Sequence, residues 1–512
     1  MVHIKELSQG LRTDMNPYQV PMGGCVACDN YVYVDGYMRP RAGFTETYDT
    51  FGDGTRPISH LSRFTDNLQQ TYLMRVDYLA ASPTDIIPLT NYVGSPGWVQ
   101  YVTLFGEGDL NVPPTSAGWK GDWWFTTGGG GLYRYDPTVP SIDSVNSLQA
   151  NTAKKVPDNP RIVIAGDSRL FIGDCQNAND GSGDRVPYRL AWSDFLDGTT
   201  WNGGVGGGSS GYVDLANDSD PITALYYSGS VLMVFKPNSF YLGNPAGPPK
   251  IWDFKLKTTG VGCICHQSLK KYRDGWIYWL GDENVYRGGT DRNPEPIGDA
   301  IRPRLREIVR MSNMTKTRAL MDRQNHNYTL FFSSDADDGR VLKTFTLDLV
   351  SGNWWEGTLQ LPGVDITDAI EFRVSEWAAT LLVSTRYGKI YEMAFSALDD
   401  AGTAIPCSWK SGMLSVPDIT QGATDQAYCQ VLKAYAPTGK VRLGVHHGDA
   451  QDRMTYTAFA EQNCDGSSDT YVTELPSTAE NFQVQVNCDD AMEGAHIAKL
   501  AIGVTLKGAT RN

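Results

Sequence analysis

A short aromatic phrase recurs along this chain, each time after an apolar run and a turn, and it limits the available folds more than any other feature. Gly131 to Tyr135 reads Gly-Leu-Tyr-Arg-Tyr, Ser239 to Tyr241 Ser-Phe-Tyr, Asn284 to Arg287 Asn-Val-Tyr-Arg, and Gly388 to Tyr391 Gly-Lys-Ile-Tyr. The preceding runs are Trp123-Trp124-Phe125, Val231 to Phe235, Trp276 to Leu280 and Leu381 to Ser384. Their turns are Gly128 to Gly131, Pro237-Asn238, Gly281-Asp282 and Arg386-Tyr387-Gly388. A strand, a tight turn and a second strand ending in an aromatic form one hairpin of a blade. Repetition of that hairpin predicts a β-propeller.

The spacing strengthens this reading, because the tyrosines at 133, 241, 286 and 391 are separated by 108, 45 and 105 residues. These intervals are roughly two, one and two units of about 50 residues. The intervening units are present. Arg161 to Gly173 reads as a hairpin turning at Gly166-Asp167-Ser168, followed by Tyr188 to Ser193. Tyr328 to Phe332 turns through Asp335 to Gly339 into Leu342 to Leu349, then Trp354-Trp355. An earlier unit lies at Thr71 to Val76 and Tyr78 to Ala81. The expected fold class is therefore all-β, a propeller of about six to eight blades with an additional small antiparallel β domain.

A chain of 512 residues has room for more than the propeller. The predicted division is a lead-in over 1–60, the propeller over 61–400 and a β-sheet or sandwich over 401–512. In the lead-in, Cys25 to Asp35 reads as one extended strand that Asp35-Gly36 turns into Arg39 to Phe44. One helix interrupts the repeats near 299–311, where Ile301, Leu305, Ile308 and Val309 share a face. After Thr403 six strand-like runs lack the aromatic punctuation: Cys407 to Leu414, Ala427 to Ala434, Lys440 to His446, Asp452 to Phe459, Phe482 to Val486 and Ala498 to Leu506.

The formal charge of −14 opposes tight wrapping of nucleic acid, whose backbone is bound by neutralising phosphates with Lys and Arg. It suits an acidic wall past which a polyanion slides. Met1 to Gly10 lacks the apolar core of a signal peptide, and no run approaches about 18 uninterrupted apolar residues. The expectation is a soluble chain folding in a reducing cytoplasm, its nine cysteines buried as thiols.

Candidate chemical motifs each carry a structural reading. Cys25-Val26-Ala27-Cys28 has redox or zinc spacing without a second pair, and residues three apart on a strand face opposite ways. Cys263 and Cys265 read as neighbours on one strand face, and His446-His447 as a surface strand end. Asp337-Asp338, Asp399-Asp400 and Asp489-Asp490 read as solvated turns. The glycine runs at 128–131 and 203–208 lack the Lys-Ser/Thr ending of a phosphate loop. Ser193 to Trp201 approximates the Asp-box of sialidase propellers with Asp197 displaced next to Gly198. None of these predicts a catalytic centre, a metal site or a cofactor.

An ordered set of phrases resembles a known family. It runs from Arg39-Pro-Arg-Ala-Gly-Phe44 through Val156 to Arg161, Gly166 to Phe171, Leu190 to Trp201, Pro221 to Leu225 with Val234 to Lys236, and Thr259 to Cys263. Glu295 to Asp299 and Thr346 to Trp354 complete it. The succession resembles the tail hub and nozzle proteins of short-tailed bacteriophages, of the tail tubular protein B or phage stabilisation type. Arg39, Arg41, Gly43 and Phe44 are its family-like structural motif. Alanine at 42 is a departure, since a second proline is expected there.

The resemblance implies a non-enzymatic virion tail component, made in the host cytoplasm. It implies a homo-oligomeric ring, usually of six copies, that contacts the portal-proximal adaptor and the tail fibres. Genome DNA passes through the lumen without sequence-specific binding. Within the chain, Arg302, Arg304, Arg306 and Arg310, continuing through Lys316, Arg318 and Arg323, form a basic run. It reads as a subunit or DNA contact, or as a solvated helix face. The alternative function is a carbohydrate-binding or sialidase-like propeller, with Trp123, Trp124, Trp354 and Trp355 as stacking candidates.

Overall fold

The computed structural model describes residues 2–4, 7–34, 36–47, 56–79, 82–92, 95–109, 112–148, 156–176, 184–201, 208–273, 275–309, 316–332, 342–361, 366–373, 379–417, 427–435, 439–449, 454–459, 462–464, 471–472, 479–489, 497 and 499–506. Six four-stranded antiparallel sheets follow one another in the chain, each taken from consecutive strands, and a further sheet completes a β-propeller. The aromatic phrase is the third strand of its blade: Leu132–Asp136, Ser239–Pro245, Val285–Gly288 and Ile390–Ala394. Its tyrosines and the paired tryptophans turn inward because each strand is covered on both faces by neighbouring blades. Trp123, Trp124, Trp354 and Trp355 are at most 2% exposed. They are core residues, which removes them as stacking platforms for sugars.

The first blade comprises Ile58–Thr65, Thr71–Leu79, Ser82–Tyr92 and Ser95–Gln100. Tyr78 and Leu79 continue the second strand instead of starting a third. Blades two to six begin with Ser116–Trp119, Ile162–Gly166, Ala224–Ser228, Lys270–Lys271 and Arg318–Asp322. The seventh begins with Ile366–Arg373. First strands of successive blades neighbour one another, those of blades four and five through Lys271 and Ser228, and Ile366–Arg373 neighbours Ile58–Thr65, so the circle closes.

Closure is made by the lead-in. Strands β1 (Val2–Ile4), β2 (Cys25–Asp29), β3 (Tyr31–Val34), β4 (Tyr37–Pro40) and β5 (Gly43–Thr47) precede the first blade. Strand β5 is the fourth strand of the seventh blade, in antiparallel register from Gly43 opposite Ala394 to Thr47 opposite Ile390. The expected single strand Cys25 to Asp35 is two strands, because Asn30 takes a left-handed φ of 61° and redirects the chain. Strands β1 and β2 lie elsewhere, in the two sheets of the C-terminal sandwich. One sheet orders β1, Lys499–Leu506, Ala427–Tyr435 and Tyr471–Val472. The other runs β2, Cys407–Ser411, Asn481–Cys488, Gly439–Gly448 and Thr455–Ala458. The sandwich is therefore built from both ends of the chain.

A single apolar core crosses from blades five and six through the lead-in to the sandwich, joining Tyr278, Tyr328, Leu7, Tyr31, Trp409 and Ile502. The helix Arg302–Val309 buries Leu305 and Ile308 in it, with Ile301 just before. This continuity makes propeller and sandwich one packed unit.

The closure strand is anchored by a buried ion pair. Arg41 donates from both terminal nitrogens to Asp400, at 3.0 Å and 2.6 Å. Its Nε reaches Asn30 Oδ1 at 2.8 Å, and it also donates to the carbonyl of Thr358 at 2.9 Å. Asp400, 0% exposed, corrects the expectation of a solvated turn. Removing one partner of a buried pair strands the other charge. Arg41→Ala is expected to cost about 3–5 kcal/mol in urea unfolding; a loss under about 1 kcal/mol, the range of surface pairs, would refute the latch.

Candidate functional site

The first strands of the blades line the propeller axis, and three of them carry a connected polar chain. His60 of blade one places Nδ1 2.6 Å from Asp368 Oδ2 of blade seven, and Nε2 2.8 Å from Ser116 Oγ of blade two. Asp368 also accepts the backbone N–H groups of Leu61 and Ala369, at 2.9 Å and 2.8 Å. Burial alone raises a carboxyl pKa, but the His60 hydrogen bond and charge, with Arg318 and Lys270, hold Asp368 below its ordinary value. The chain joins blade one to its neighbours on both sides. Its residues are 308 and 56 positions apart, so no local pattern announces them.

Beside this chain lies a cavity of about 200 Å³ lined by Thr115, Arg161, Asp174, Thr223, His266 and Gln267. His266 is pushed down to about 4 by burial and by the charges of Lys270 and His60. Burial also lowers Lys270. Arg318 adds to these links, with its Nε 2.6 Å from the Thr367 carbonyl, and Arg323 pairs with Glu371 of blade seven. These two members of the basic run tie blade six to blade seven.

The other described arginines of that run, Arg302, Arg304 and Arg306, are also paired within the chain. Arg302 and Arg306 share Glu283, at 2.5 Å and 2.7 Å. Arg304 donates to Glu356 at 3.0 Å and to Glu307. Arg310 lies outside the described residues. Arg304 and Glu356 border a cleft of about 390 Å³ with Thr13, Asp29, Lys343 and Ser408, where helix, blade six, β2 and sandwich meet. Burial raises the Asp29 pKa.

The family-like motif falls on the closure latch. Arg39 stacks over Phe395 at 4.3 Å, Phe44 is buried among Leu320, Phe331 and Tyr391, and Gly43 donates its N–H to the Ala397 carbonyl at 2.9 Å. A Cβ on Gly43 would stand 2.2 Å from the Asp399 carbonyl oxygen, so only glycine fits there.

Several motifs resolve differently from their sequence reading. A β-bulge after Cys25 turns both Cys25 and Cys28 inward, where their thiols donate to the carbonyls of Gly10 and Tyr31. Cys263 and Cys265 precede a short 3₁₀ turn instead of forming a strand. Burial pushes Cys263 up to about 12. His447 is buried against Thr457, away from the surface. The glycines at 130 and 131 donate to Thr127 and Glu107, so the loop is already filled by protein groups. In the Asp-box-like stretch, Asp197 caps Thr199, and Trp201 is buried with its Nε1–H on the Gly198 carbonyl. Residues 203–207, Asp337, Asp338 and Asp490 lie outside the described residues. Among those described, no group of three or more His, Cys, Asp or Glu could hold a metal ion.

Two measurements test the axis. Asp368→Asn leaves His60 without its carboxylate and is expected to lower stability by about 2–4 kcal/mol; a change within 0.5 kcal/mol, typical of surface sites, would refute the link. His266 titrates near 6.5 when unfolded and about 4 when folded, so the unfolded chain takes its proton first. Its contribution is intact above about 6.5 and is lost as pH falls towards about 4. Asp77, raised to about 6 by burial, acts in the opposite sense across that window. His266→Phe should therefore remove an acid-side loss of stability relative to wild type, read as the difference between urea unfolding curves at pH 7 and 5. Parallel curves at both pH values would refute the shift.

No protein-family model matches the chain, and no curated protein matches it. Solved structures similar to it include the Pan2 WD40 domain of Neurospora crassa, at 11% identity and TM-score 0.38, covering 69% of this chain and 94% of that one. The BBS1N domain crystallised with ARL6DN is similar at 12% identity and TM-score 0.38, covering 70% and 99%. PorZ, a surface component of the Porphyromonas gingivalis type-IX secretion system, is similar at 10% identity and TM-score 0.35, covering 76% and 44%. The likeness concerns the fold alone.

Proposed function

We propose that the chain is a structural subunit of a bacteriophage tail, assembled as a homo-oligomeric ring in the virion after synthesis in the host cytoplasm. The ring meets an adaptor on one side and fibres on the other, and DNA crosses its lumen without sequence-specific binding. The observation that carries this reading is the position of Arg39 to Phe44. The phrase most like the tail family is the latch joining propeller and sandwich. A part that must transmit force between an adaptor and fibres benefits from such a joint. The DNA path is the lumen between copies, since each propeller's own axis carries His60, Ser116 and Asp368.

One observation favours a second reading. The order Asp368 Oδ2, His60 Nδ1, His60 Nε2 and Ser116 Oγ is the connectivity of a hydrolytic triad. A fluorophosphonate adduct on Ser116, lost in Ser116→Ala, would establish a hydrolase; an unlabelled Ser116 would dismiss it.

Negative-stain microscopy of the purified chain, alone and on its adaptor, tests the ring. Closed rings with a central hole are expected; isolated discs in both samples would overturn the proposal. Arg302 and Arg306 are the clean interface probes, because their side chains are 41% and 49% exposed. Arg304 is unsuitable because its partner Glu356 is buried. The double variant Arg302→Glu, Arg306→Glu should weaken ring assembly about tenfold at unchanged melting temperature. Undiminished assembly would confine these arginines to intrachain pairing.

A further inference from the structure

We propose that Cys407 and Cys488 are an oxidative modification site, closing a cross-strand disulfide when the protein passes from a reducing to an oxidising medium. Cys407 opens the strand Cys407–Ser411 and Cys488 ends the strand Asn481–Cys488, and the two residues stand directly opposite in antiparallel register. Residues so paired present their side chains to the same face, with Cα atoms about 4.5–5.5 Å apart. A disulfide requires about 4.4–6.8 Å. The register therefore brings the two Cα atoms within disulfide range.

The other described thiols do not meet this condition. Cys25 and Cys28 lie on one strand, where burial and the neighbouring Cys25 thiol raise the Cys28 pKa, so they are not opposed across two strands. Their thiols donate to separate carbonyls, Gly10 and Tyr31. Cys263 donates to the Cys265 carbonyl, while Cys265 donates across to Thr317. Cys175 belongs to blade three, and Cys429 to the opposite sheet of the sandwich.

Cys407 and Cys488 are 3% and 5% exposed, and burial together with the neighbouring Cys488 raises the Cys407 pKa. The pair thus persists as thiols in a reducing cytoplasm and reacts slowly once folded. Glutathione disulfide suffices as the oxidant. One cysteine thiolate attacks it, breaking its S–S bond, forming a mixed disulfide and expelling one glutathione thiolate. The second cysteine thiolate then displaces the other glutathione, forming the Cys407–Cys488 bond. Two electrons pass to the glutathione sulfurs, and the two cysteine protons end on two glutathione thiols.

The bond would clamp the strands nearest the latch. The Cys407 thiol also contacts the Asn30 carbonyl at 3.5 Å, and the Asn30 side chain holds Arg41 and the Pro406 carbonyl. It closes a long covalent loop through both sandwich sheets, which restricts the unfolded chain.

The test uses the full-length chain in two preparations. One is folded in reducing buffer and then incubated with glutathione disulfide. The other is produced in cells with an oxidising cytoplasm, so that the thiols meet oxidant during folding. Peptide mapping by mass spectrometry without reductant should show the Cys407 and Cys488 peptides linked in the second preparation and, more slowly, in the first, and released by reductant. The linked protein should melt about 5 °C higher than its reduced form, and Cys488→Ser should abolish both effects. Both cysteines recovered as thiols in folded protein from oxidising cells, or Cys407 joined to a different cysteine, would overturn the proposal. Ring formation by the reduced protein is scored separately, so failure here leaves the ring reading intact.

Discussion

A circle of sheets built from one chain needs a device to hold its ends, and here the device is a charged residue buried on the closing strand. Arg41 meets Asp400 in a two-pronged contact and spends its remaining donors on Asn30, Ala42 and Thr358. Asp400 also accepts the Gln360 N–H. Burying such a pair is costly unless geometry and additional hydrogen bonds compensate. Both conditions are met, and the directional contact fixes the register of a strand that apolar packing alone would let slide. Gly43 completes the device by letting the backbone pass against Asp399.

The same lead-in carries the latch into the sandwich. Asn30 reverses the chain between β2, paired with Cys407–Ser411, and the β3–β4 hairpin that leads to β5. The lead-in thereby shares one core with the sandwich, through Trp409 and Tyr31. The helix wedges between these bodies, and its arginines find carboxylates on blade six and on the turn before Val285–Gly288. The described arginines of the basic run thus become a set of intrachain ties.

Around the axis, polar side chains replace the apolar packing found farther out. The blades separate towards the rim with aromatic contacts such as Phe235 against Trp279 and Phe171 against Trp252. At the centre, first strands converge and leave little volume for large rings. His60, Ser116, Asp368 and Arg318 bridge adjacent blades with directional bonds. These bonds fall at three successive boundaries, between blades six and seven, seven and one, and one and two.

The repeated aromatic phrase and its spacing determined the class of fold, because a hairpin period is written in contiguous residues and survives without knowledge of distant partners. The six C-terminal strands were legible for the same reason, as was the helix with its buried Leu305 and Ile308. Tertiary structure alone decided what those elements do to one another. Asp400 looks like a turn carboxylate until closure brings it to Arg41, 359 positions away. Cys25 and Cys28 look set on opposite faces until a bulge turns both inward, and β1 and β2 look like part of a lead-in until they pair with strands near the other end of the chain. The axial chain of His60 was invisible for the same physical reason. Sequence patterns record the periodicity of one strand, whereas burial of charge, seam and site depends on which strands a closed circle brings together.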